Sequence, residues 1–183
     1  MCSPAGHMLI GAASWFAFAP RTGLERAPRL AALAATIFLA NGPDLDYLPG
    51  LAVGDLNRWH YQGTHSLLFA VSLALAVAWA FRRYIAPGAA VLPVFLIASL
   101  SHLAADFMTI DLSPPPGIPL LWPLSDARFI SPVPLFSNFQ KATLEQLFTA
   151  ANLGPLLREI LLTAPLAAGL AAAARFRRSR HAA

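Results

Sequence analysis

The chain has 183 residues, the length of one domain or of a small membrane bundle. Hydrophobic residues make up 57% of it and charged residues only 12%, which excludes a disordered chain. The 13 Lys and Arg and 9 Asp and Glu residues are too few to coat a soluble surface, and one cysteine excludes a disulfide framework and a Cys-rich zinc finger. The composition predicts a membrane protein that nevertheless keeps five histidines.

The net charge of +4 comes almost entirely from arginine. A nucleic-acid surface would need one basic stripe with interleaved aromatic residues, and these arginines do not form one. They fall in three clusters separated by apolar runs, which indicates membrane flanks and no nucleic-acid partner. The clusters are Arg21, Arg26 and Arg29, then Arg82 and Arg83, then Arg175, Arg177, Arg178 and Arg180.

The first apolar runs cover residues 8–19 and 30–40. The first one resembles a signal-peptide core with a small-residue cleavage site. However, no Lys or Arg precedes it and Arg21 follows it, so we predict a helix that remains in the mature protein. Both runs are short for a span, and they are extended by flanking residues, lie in a thinned bilayer or form a partly inserted hairpin.

Three further apolar runs cover residues 66–81, 85–108 and 153–174. A spanning helix needs about 20 apolar residues, which the last two runs meet and the third run nearly meets. We therefore predict an all-α integral membrane bundle of about five helices, with no internal repeat and no domain boundary. The bundle forms one domain over residues 1–183, with a basic cytoplasmic tail at residues 175–183.

The arginine clusters predict the orientation, because short cytoplasmic loops are enriched in Lys and Arg. All three clusters fit an outer N-terminus, five spans and a cytoplasmic C-terminus. The outer side then holds the start of the chain and the loops around residues 41–65 and 109–145. A weaker, scattered set of basic residues also lies outside, namely Arg58, Arg128, Lys141 and Arg158.

This topology brings the histidines and several carboxylates to one level of the membrane, although it was drawn from the arginines alone. Only His181, in the basic tail, falls on the other side. The groups on the outer side are His7, Asp44, Asp46, His60, His65, His102 and Asp106.

The clearest pair among them is His102 and Asp106, which are four residues apart and share one helical face. An imidazole and a carboxylate at that spacing can bind one metal ion. Ionisable groups inside an apolar span are costly and are functional by default. The alternative is a His–Asp hydrogen bond that locks two helices.

Asp44 and Asp46 follow the second run in Pro43-Asp44-Leu45-Asp46. Taken alone, this pattern is an ordinary turn and helix cap. Beside several histidines, the two carboxylates become candidate metal ligands, and one of them could bridge two ions. His7, just before the first run, is a further candidate ligand.

His60 and His65 are five residues apart, so on a continuous helix they would diverge by about 140°. Gly63 allows a turn through which both could converge. We favour His65 as the ligand, because it lies at the mouth of the next helix, and treat His60 as ligand or proton shuttle. Ser66 or Thr64 is the candidate cap of that helix.

Imidazole and carboxylate without thiolate suit zinc, with manganese or iron as alternatives. A catalytic site keeps a position open for water, whose pKa the metal lowers towards about 7. We expect one to three bound ions. Where two are present, they can clamp the attacking and leaving oxygens of a phosphoester. Neither a Gly-x-Ser-x-Gly nucleophile motif nor a phosphate-binding Gly-Lys-[Ser/Thr] loop is present.

The motifs Gly6-His7, Pro43-Asp44-Leu45-Asp46, His60 to Ser66, His102 to Asp106 with Thr109, and Leu121-Trp122-Pro123 occur in that order. This set resembles a bacterial family of inner-membrane-associated, metal-dependent hydrolases, some of them LexA-regulated. The resemblance covers roughly residues 5–130 and implies a helical membrane protein with a metal-dependent hydrolase site. The family is distantly similar to zinc-dependent phospholipase C and the S1/P1 nucleases, which suggests phosphoester hydrolysis.

The sequence departs from the family at Tyr61, where an arginine usually follows the first histidine, and the glycine is displaced to Gly63. Arg58 or Arg128 is the candidate replacement for a phosphate-binding arginine, unless these residues only face water. Trp122, Trp59 and Tyr47 are candidate interfacial aromatics, with core packing as the alternative.

We expect a membrane hydrolase that uses metal-activated water on a phosphoester of a lipid or lipid-linked substrate, at the periplasmic face of the inner membrane. The alternatives are a non-enzymatic membrane protein with a structural or transported metal, and a soluble helical protein with an unusually apolar core. The expected residues are His7, Asp44, Asp46, His65, His102 and Asp106 on the metal, Asp44, His60, His65 and Asp106 in catalysis, and Arg58, Thr109, Trp122 and Arg128 on the substrate.

Overall fold

A computed structural model describes residues 2–18, 26–84, 91–112 and 115–182. These residues form seven α-helices and no β-strand beyond two isolated bridges. The bounds are α1 Pro4–Phe18, α2 Arg26–Leu39, α3 Tyr47–Val53, α4 Leu67–Phe81, α5 Val91–Phe107, α6 Leu144–Leu147 and α7 Leu153–Ala182.

The all-helical prediction is confirmed, but the described residues hold seven helices and not five. The five longer helices coincide with the five apolar runs, whereas α3 and α6 are short, with 7 and 4 residues, and lie in the predicted outer loops. α7 continues past residue 174 into the basic tail, where Ala and Arg are both good helix formers. Arg21 and residues 85–90 lie outside the described residues.

The five longer helices have one end of the bundle in common. α1, α4 and α7 begin near it, and α2 and α5 end there. α1 packs against α7, α2 and α5, while α4 packs against α5. Trp15, Leu39 and Phe95 are fully buried members of the apolar core between these helices. Alternating chain direction therefore places every predicted site motif at the same end.

Two irregular segments, residues 40–66 and 108–152, cover this end of the bundle, and we call them the cap. Backbone hydrogen bonds tie the segments to each other, from Leu56 N–H to the Ala142 carbonyl at 2.9 Å. They also tie the cap to the helix ends, from Leu67 N–H to the Leu120 carbonyl and from Ser131 N–H to the Phe107 carbonyl. These hydrogen bonds hold both segments of the cap in place over the helix ends.

Two helical segments are long and apolar enough to cross a membrane, Leu67–Tyr84 and Ala150–Arg177, each with a mean hydropathy of 1.5. Only 11% and 17% of the residues in an apolar 18-residue window of these two segments are buried inside the protein. A core helix of a soluble protein would be mostly buried, so these apolar surfaces fit contact with lipid. α1, α2 and α5 have 15, 14 and 17 residues, which is shorter than the ~20 residues of a typical span.

Candidate metal centre beneath the cap

Four side chains meet at the covered end of the bundle, and we call them the primary cluster: Asp44, His65, His102 and Asp106. One potential ligand atom from each lies within 4.8 Å of the others. His65 Nε2 is 3.4 Å from both Asp44 Oδ1 and Asp106 Oδ2. His102 Nε2 is 3.4 Å from Asp106 Oδ2, as the spacing of four residues predicts.

The hydrogen bonds on the far side of each imidazole leave Nε2 to face the cluster. His102 Nδ1 lies 2.8 Å from the Ala40 carbonyl at the end of α2, to which it donates. His65 Nδ1 faces Asp46 Oδ2 at 3.3 Å and the Thr64 hydroxyl at 3.1 Å. Metal-binding histidines in proteins are held in this way, with the second nitrogen donating to a carbonyl or a carboxylate.

The primary cluster contains buried polar atoms that lack a hydrogen-bond partner among the described residues. They are both carboxylate oxygens of Asp44 and Oδ2 of Asp106. Buried carboxylate oxygens rarely stay unpaired, because desolvation without compensation is costly. A divalent cation between these oxygens and the two Nε2 atoms would supply the missing partner, so the residues fit a metal ion.

His7 lies at the edge of the primary cluster. Its ring stacks on His102 with the centroids 3.9 Å apart, and its Nε2 is 3.3 Å from Asp106 Oδ1. Neither ring nitrogen has a hydrogen-bond partner in the described part of the chain. The neighbouring Gly6 makes room for the start of the chain and for α7, because a Cβ there would collide with the side chains of Cys2 and Glu159. His7 is thus a further donor beside the four.

A second group, formed by Asp46, His60 and His65, also has ligand atoms within 4.8 Å of one another. His60 Nδ1 is 2.9 Å from Asp46 Oδ1, and Lys141 Nζ is 3.1 Å from His60 Nε2. Because the lysine donates to Nε2, the neutral imidazole carries its proton on Nδ1 and donates to Asp46. A relay, Lys141–His60–Asp46–His65, therefore leads to the primary cluster.

The relay bears on the choice between His60 and His65. Both ring nitrogens of His60 have partners outside the primary cluster, whereas His65 directs Nε2 into it. The 3₁₀ turn Gly63–His65 brings the two rings to a centroid distance of 4.7 Å, as the glycine allowed. This geometry favours His65 as ligand and His60 as proton shuttle. Asp46 faces Nδ1 of His65, so it fits an orienting role as well as a ligand role.

The charges of the two histidines differ sharply. Burial lowers the pKa of His65, but the carboxylates of Asp106, Asp44 and Asp46 close to its ring nitrogens outweigh burial and raise the pKa to about 10. Burial and the Lys141 charge lower the pKa of His60 to about 3. Metal-free protein therefore carries a proton on His65, and metal binding must release it.

The hydrogen bonds at the start of α4 show which residue is its N-cap. Ser66 Oγ accepts from Phe69 N–H at 3.2 Å and donates to the Gly63 carbonyl. Thr64 instead donates its hydroxyl to Asp46 Oδ2 at 2.6 Å. Ser66 is thus the N-cap of α4, and Thr64 helps to hold the Asp46 carboxylate.

Two small cavities open beside the relay. The first, of about 160 Å³, is lined by His60, Tyr61, Arg58 and Arg128 among others. The second, of about 170 Å³, is lined by Trp122 and again by Arg128. Arg58, Arg128 and Trp122 therefore lie together, where a substrate at His60 could reach them.

Thr109 does not lie there. It is fully buried, and its hydroxyl donates to the Ala105 carbonyl one helical turn earlier. The expected contact of Thr109 with substrate is not supported by this placement, because a side chain bound to its own helix end has no surface to offer.

Tyr61, which stands where the family usually has an arginine, adopts φ 58°, an uncommon conformation for a residue with a side chain. Its ring stacks on His60 at 4.1 Å and meets the edge of His65 at 4.7 Å. Lys141 Nζ lies 4.6 Å from the centre of the Tyr61 ring. Tyr61 therefore packs the two histidines, and the nearby cation is a lysine.

Sequence reasoning missed Lys141, which it placed among scattered outer charges. The structure buries it at 3% exposure beside Tyr47, Tyr61 and His60. Tyr47 itself stacks on His60 with the centroids 4.0 Å apart, so it packs in the site as well. The available signal was composition, because Lys141 is the single lysine of a chain with 12 arginines.

Sequence reasoning also missed Glu159 and the first residues of the chain. Glu159 is fully buried in α7, and both of its oxygens lie 2.9 Å from Ser3 N–H. The neighbouring Cys2 N–H donates to Asp106 Oδ1 at 3.0 Å. The signal was a carboxylate inside an apolar run, which is functional by default.

A helical bundle with apolar helices open to lipid and a buried His/Asp cluster beneath a cap defines a membrane protein with a potential metal site. The family model for the YdjM inner membrane protein matches residues 1–181, and the chain belongs to that family. A similar protein is the inner membrane protein YbcI of Escherichia coli (strain K12), 40% identical over 110 residues. That match covers 57% of this chain and 60% of YbcI.

The expectation of a bacterial inner-membrane family is confirmed by these matches. No solved structure matches the chain. The likeness to phospholipase C and the S1/P1 nucleases stays a prediction, as does hydrolase activity.

Proposed function

We propose that this protein is a membrane-bound, metal-dependent hydrolase that cleaves a phosphoester of a lipid or lipid-linked substrate. The observation that carries the proposal is the primary cluster, with two Nε2 atoms and unpaired carboxylate oxygens facing one point. Zinc suits this donor set best, and manganese or iron also fit. A bound divalent ion would lower the pKa of water and stabilise charge on the phosphoester oxygens.

The residues around the cluster have separate tasks in this proposal. Asp46 and the Ala40 carbonyl fix the orientation of His65 and His102. Arg58 and Arg128 line the cavity beside His60 and bind the substrate phosphate. His60, which is neutral and linked to Lys141, accepts or returns a proton at the cavity wall.

The arrangement of charges supports a periplasmic site and a multi-pass topology. The primary cluster lies where α4 begins, whereas Arg82 and Arg83 follow the other end of α4. Arg175 and Arg177 likewise lie far along α7 from Glu159, which is close to the site. Because basic flanks favour the cytoplasm, the cluster belongs on the opposite side of the inner membrane.

Metal analysis of detergent-purified protein tests the site first. We expect bound metal in the parent and its loss in His102→Ala and Asp44→Ala, because each removes one of four donors. Asp55→Ala, which changes a cap carboxylate outside the cluster, is the control and keeps the metal. A parent without metal, or variants with unchanged metal, would contradict the metal site.

Activity is tested next on a panel of phosphorylated lipids, with and without a chelator. We expect turnover that the chelator abolishes and that Arg58→Ala and Arg128→Ala weaken. One observation favours a second function, a non-enzymatic protein with a structural or transported metal: the primary cluster is largely buried and its four donors can close a site. Metal binding without chelator-sensitive turnover on any lipid would support that function and overturn the hydrolase.

A further inference from the structure

The two small cavities beside the relay share a wall. We call the one of about 160 Å³ the arginine cavity, because both Arg58 and Arg128 line it. The other, of about 170 Å³, is lined by Trp122 and Asp126, and we call it the tryptophan cavity. Gln62 and Arg128 line both of them. A ligand that is held at Arg128 can therefore extend into either space.

The arginine cavity offers positive charge to a ligand. Arg58 forms no ion pair with another described residue, and its guanidinium lies 5.1 Å from the centre of the Trp59 ring. Arg128 donates one hydrogen bond, at 2.9 Å, to the Gly117 carbonyl. A guanidinium has five N–H donors, so most of them are left for a ligand. These donors suit a phosphate group.

The tryptophan cavity has the opposite character. Asp126 is exposed, and it forms no ion pair with Arg128 or with any other residue in the described part of the chain. The Trp122 ring lies against Gly63, where a Cβ would come within 2.7 Å of it, yet the side chain is 43% exposed. A carboxylate and an aromatic face in one cavity attract a cation, through charge and through the ring quadrupole.

The groups that line the tryptophan cavity indicate which kind of cation fits. Quaternary ammonium groups are typically bound in cages of aromatic rings, and among the described residues Trp122 is the one aromatic side chain in this lining. Gln62 directs its amide nitrogen to the Arg58 carbonyl at 3.4 Å, which leaves its side-chain oxygen as an acceptor. That oxygen and the Asp126 carboxylate suit a primary ammonium, which has three N–H donors.

We propose that the two cavities together bind the zwitterionic head group of an amino-alcohol phospholipid, with the phosphate in the arginine cavity and a primary ammonium in the tryptophan cavity. Opposite charges in adjoining cavities complement the opposite charges that a short linker joins in such a head group. The inference rests on the proposed function for the position of the phosphate. It adds that the protein selects an aminated head group over a glycerol or sugar head group.

A matched pair of phosphonates tests this site without turnover, because a carbon–phosphorus bond resists hydrolysis. Aminopropylphosphonate carries both charges, whereas propylphosphonate lacks the ammonium. Calorimetric titration of the detergent-purified protein should give an affinity about 5- to 10-fold higher for the aminated probe, which an exposed cation–π contact and a carboxylate pair can together supply. Arg58→Ala should weaken the binding of both probes alike and keep their ratio.

Asp126→Asn tests the position of the ammonium. It should reduce the preference for the aminated probe to about twofold or less, because the amide carries no charge. Glu145→Gln is the matched control, since Glu145 is another exposed carboxylate of the cap and lines neither cavity. It should keep the preference, and an unchanged Tm in both variants shows that they are folded. Equal affinity of the parent for the two probes, or a preference that survives Asp126→Asn, would overturn the proposal.

Competition by short-chain phospholipids then tests the source of the head group. A dihexanoyl lipid with an ethanolamine head should displace aminopropylphosphonate, and the same lipid with a glycerol head should do so at least about fivefold less well. Equal displacement by both lipids, or by neither, would overturn the selection of a lipid head group. Chelator-sensitive turnover without any preference would leave the hydrolase standing and reject the head-group site. The preference without turnover on any lipid would leave the head-group site standing and reject the hydrolase.

Discussion

Asp46 shows most clearly how one residue acquires its role from its neighbours. It receives a hydrogen bond from Thr64 at 2.6 Å, pairs with His60 at 2.9 Å and faces Nδ1 of His65 at 3.3 Å. The hydrogen bonds to His60 and His65 offset the effect of burial and lower the pKa of the Asp46 carboxyl. The carboxylate is therefore ionised and fixed behind a histidine that faces the primary cluster.

Asp46→Asn should weaken metal binding about 10- to 100-fold, the cost of losing an outer carboxylate behind a metal histidine. Because the four donors of the primary cluster remain, the metal stoichiometry at saturation should not change. Metal titration of the purified protein measures both quantities, with Asp55→Asn as control. A lower stoichiometry would instead show that Asp46 is itself a ligand of a second ion.

His60 gives a pH prediction for the metal-free protein. Burial and Lys141 lower its pKa from about 6.5 to about 3. As the pH falls below about 6.5, the unfolded chain binds a proton at His60 and the folded protein does not, so His60 reduces stability on acidification. This loss is at most about 1.4 kcal/mol for each pH unit.

Replacing the imidazole should remove that part of the pH dependence. We expect the Tm of chelator-treated His60→Gln to fall less than that of the parent between pH 7 and pH 5. His181→Gln in the basic tail serves as control and should follow the parent. Parallel curves for His60→Gln and the parent would show that His60 takes up a proton in the folded protein.

At the scale of elements, the contact between the chain start and α7 holds α1 against the site. Ser3 N–H lies between the two oxygens of Glu159, and the adjacent Cys2 N–H reaches Asp106 in α5. The adjacent backbone amides of Cys2 and Ser3, just before α1, thereby connect α7 to Asp106 of the primary cluster. Glu159 acts on the site through this link, because both of its oxygens accept from Ser3 N–H.

Glu159→Leu should destabilise the protein by about 1–3 kcal/mol, because it leaves the buried Ser3 N–H without an acceptor. Glu159→Gln keeps an acceptor oxygen of the same shape and should lose clearly less. Thermal unfolding in detergent measures both variants. If Gln and Leu destabilise equally, the charge and not the hydrogen bond to Ser3 holds the segment.

At the scale of the whole molecule, the buried carboxylates and histidines lie at one end of the bundle and the arginine clusters lie at the other. The primary cluster and the cap occupy one end, and the basic residues after α4 and along the end of α7 occupy the other. This polarity is what makes the orientation in the membrane testable, because each end can be labelled separately.

An impermeant maleimide on intact cells should label Ala127→Cys in the cap and not Arg177→Cys in the tail. Both positions are exposed, so accessibility depends on the side of the membrane. The native Cys2 is fully buried and should contribute little background. After permeabilisation, Arg177→Cys should react as well. Labelling of Arg177→Cys alone in intact cells would reverse the topology.

Sequence reasoning located the helices and most of the candidate site, because both depend on local pattern. Apolar runs of the right length predict helices wherever they occur, and a spacing of four puts His102 and Asp106 on one face. The short helices α3 and α6 escaped because 7 and 4 residues in loops carry no periodic signal. Lys141 and Glu159 escaped because their partners are 81 and 156 residues away in the chain.

The sequence by itself determined that this is an apolar helical protein and that its scarce histidines and carboxylates gather at one end. Charge is too costly in an apolar bundle to be placed without a partner, so the few ionisable groups identify the site. Only the tertiary structure decided which nitrogen of each histidine faces the cluster and that Thr109 faces its own helix. It also decided that the ammonium of Lys141 contacts His60, since these facts depend on distances between segments far apart in the chain.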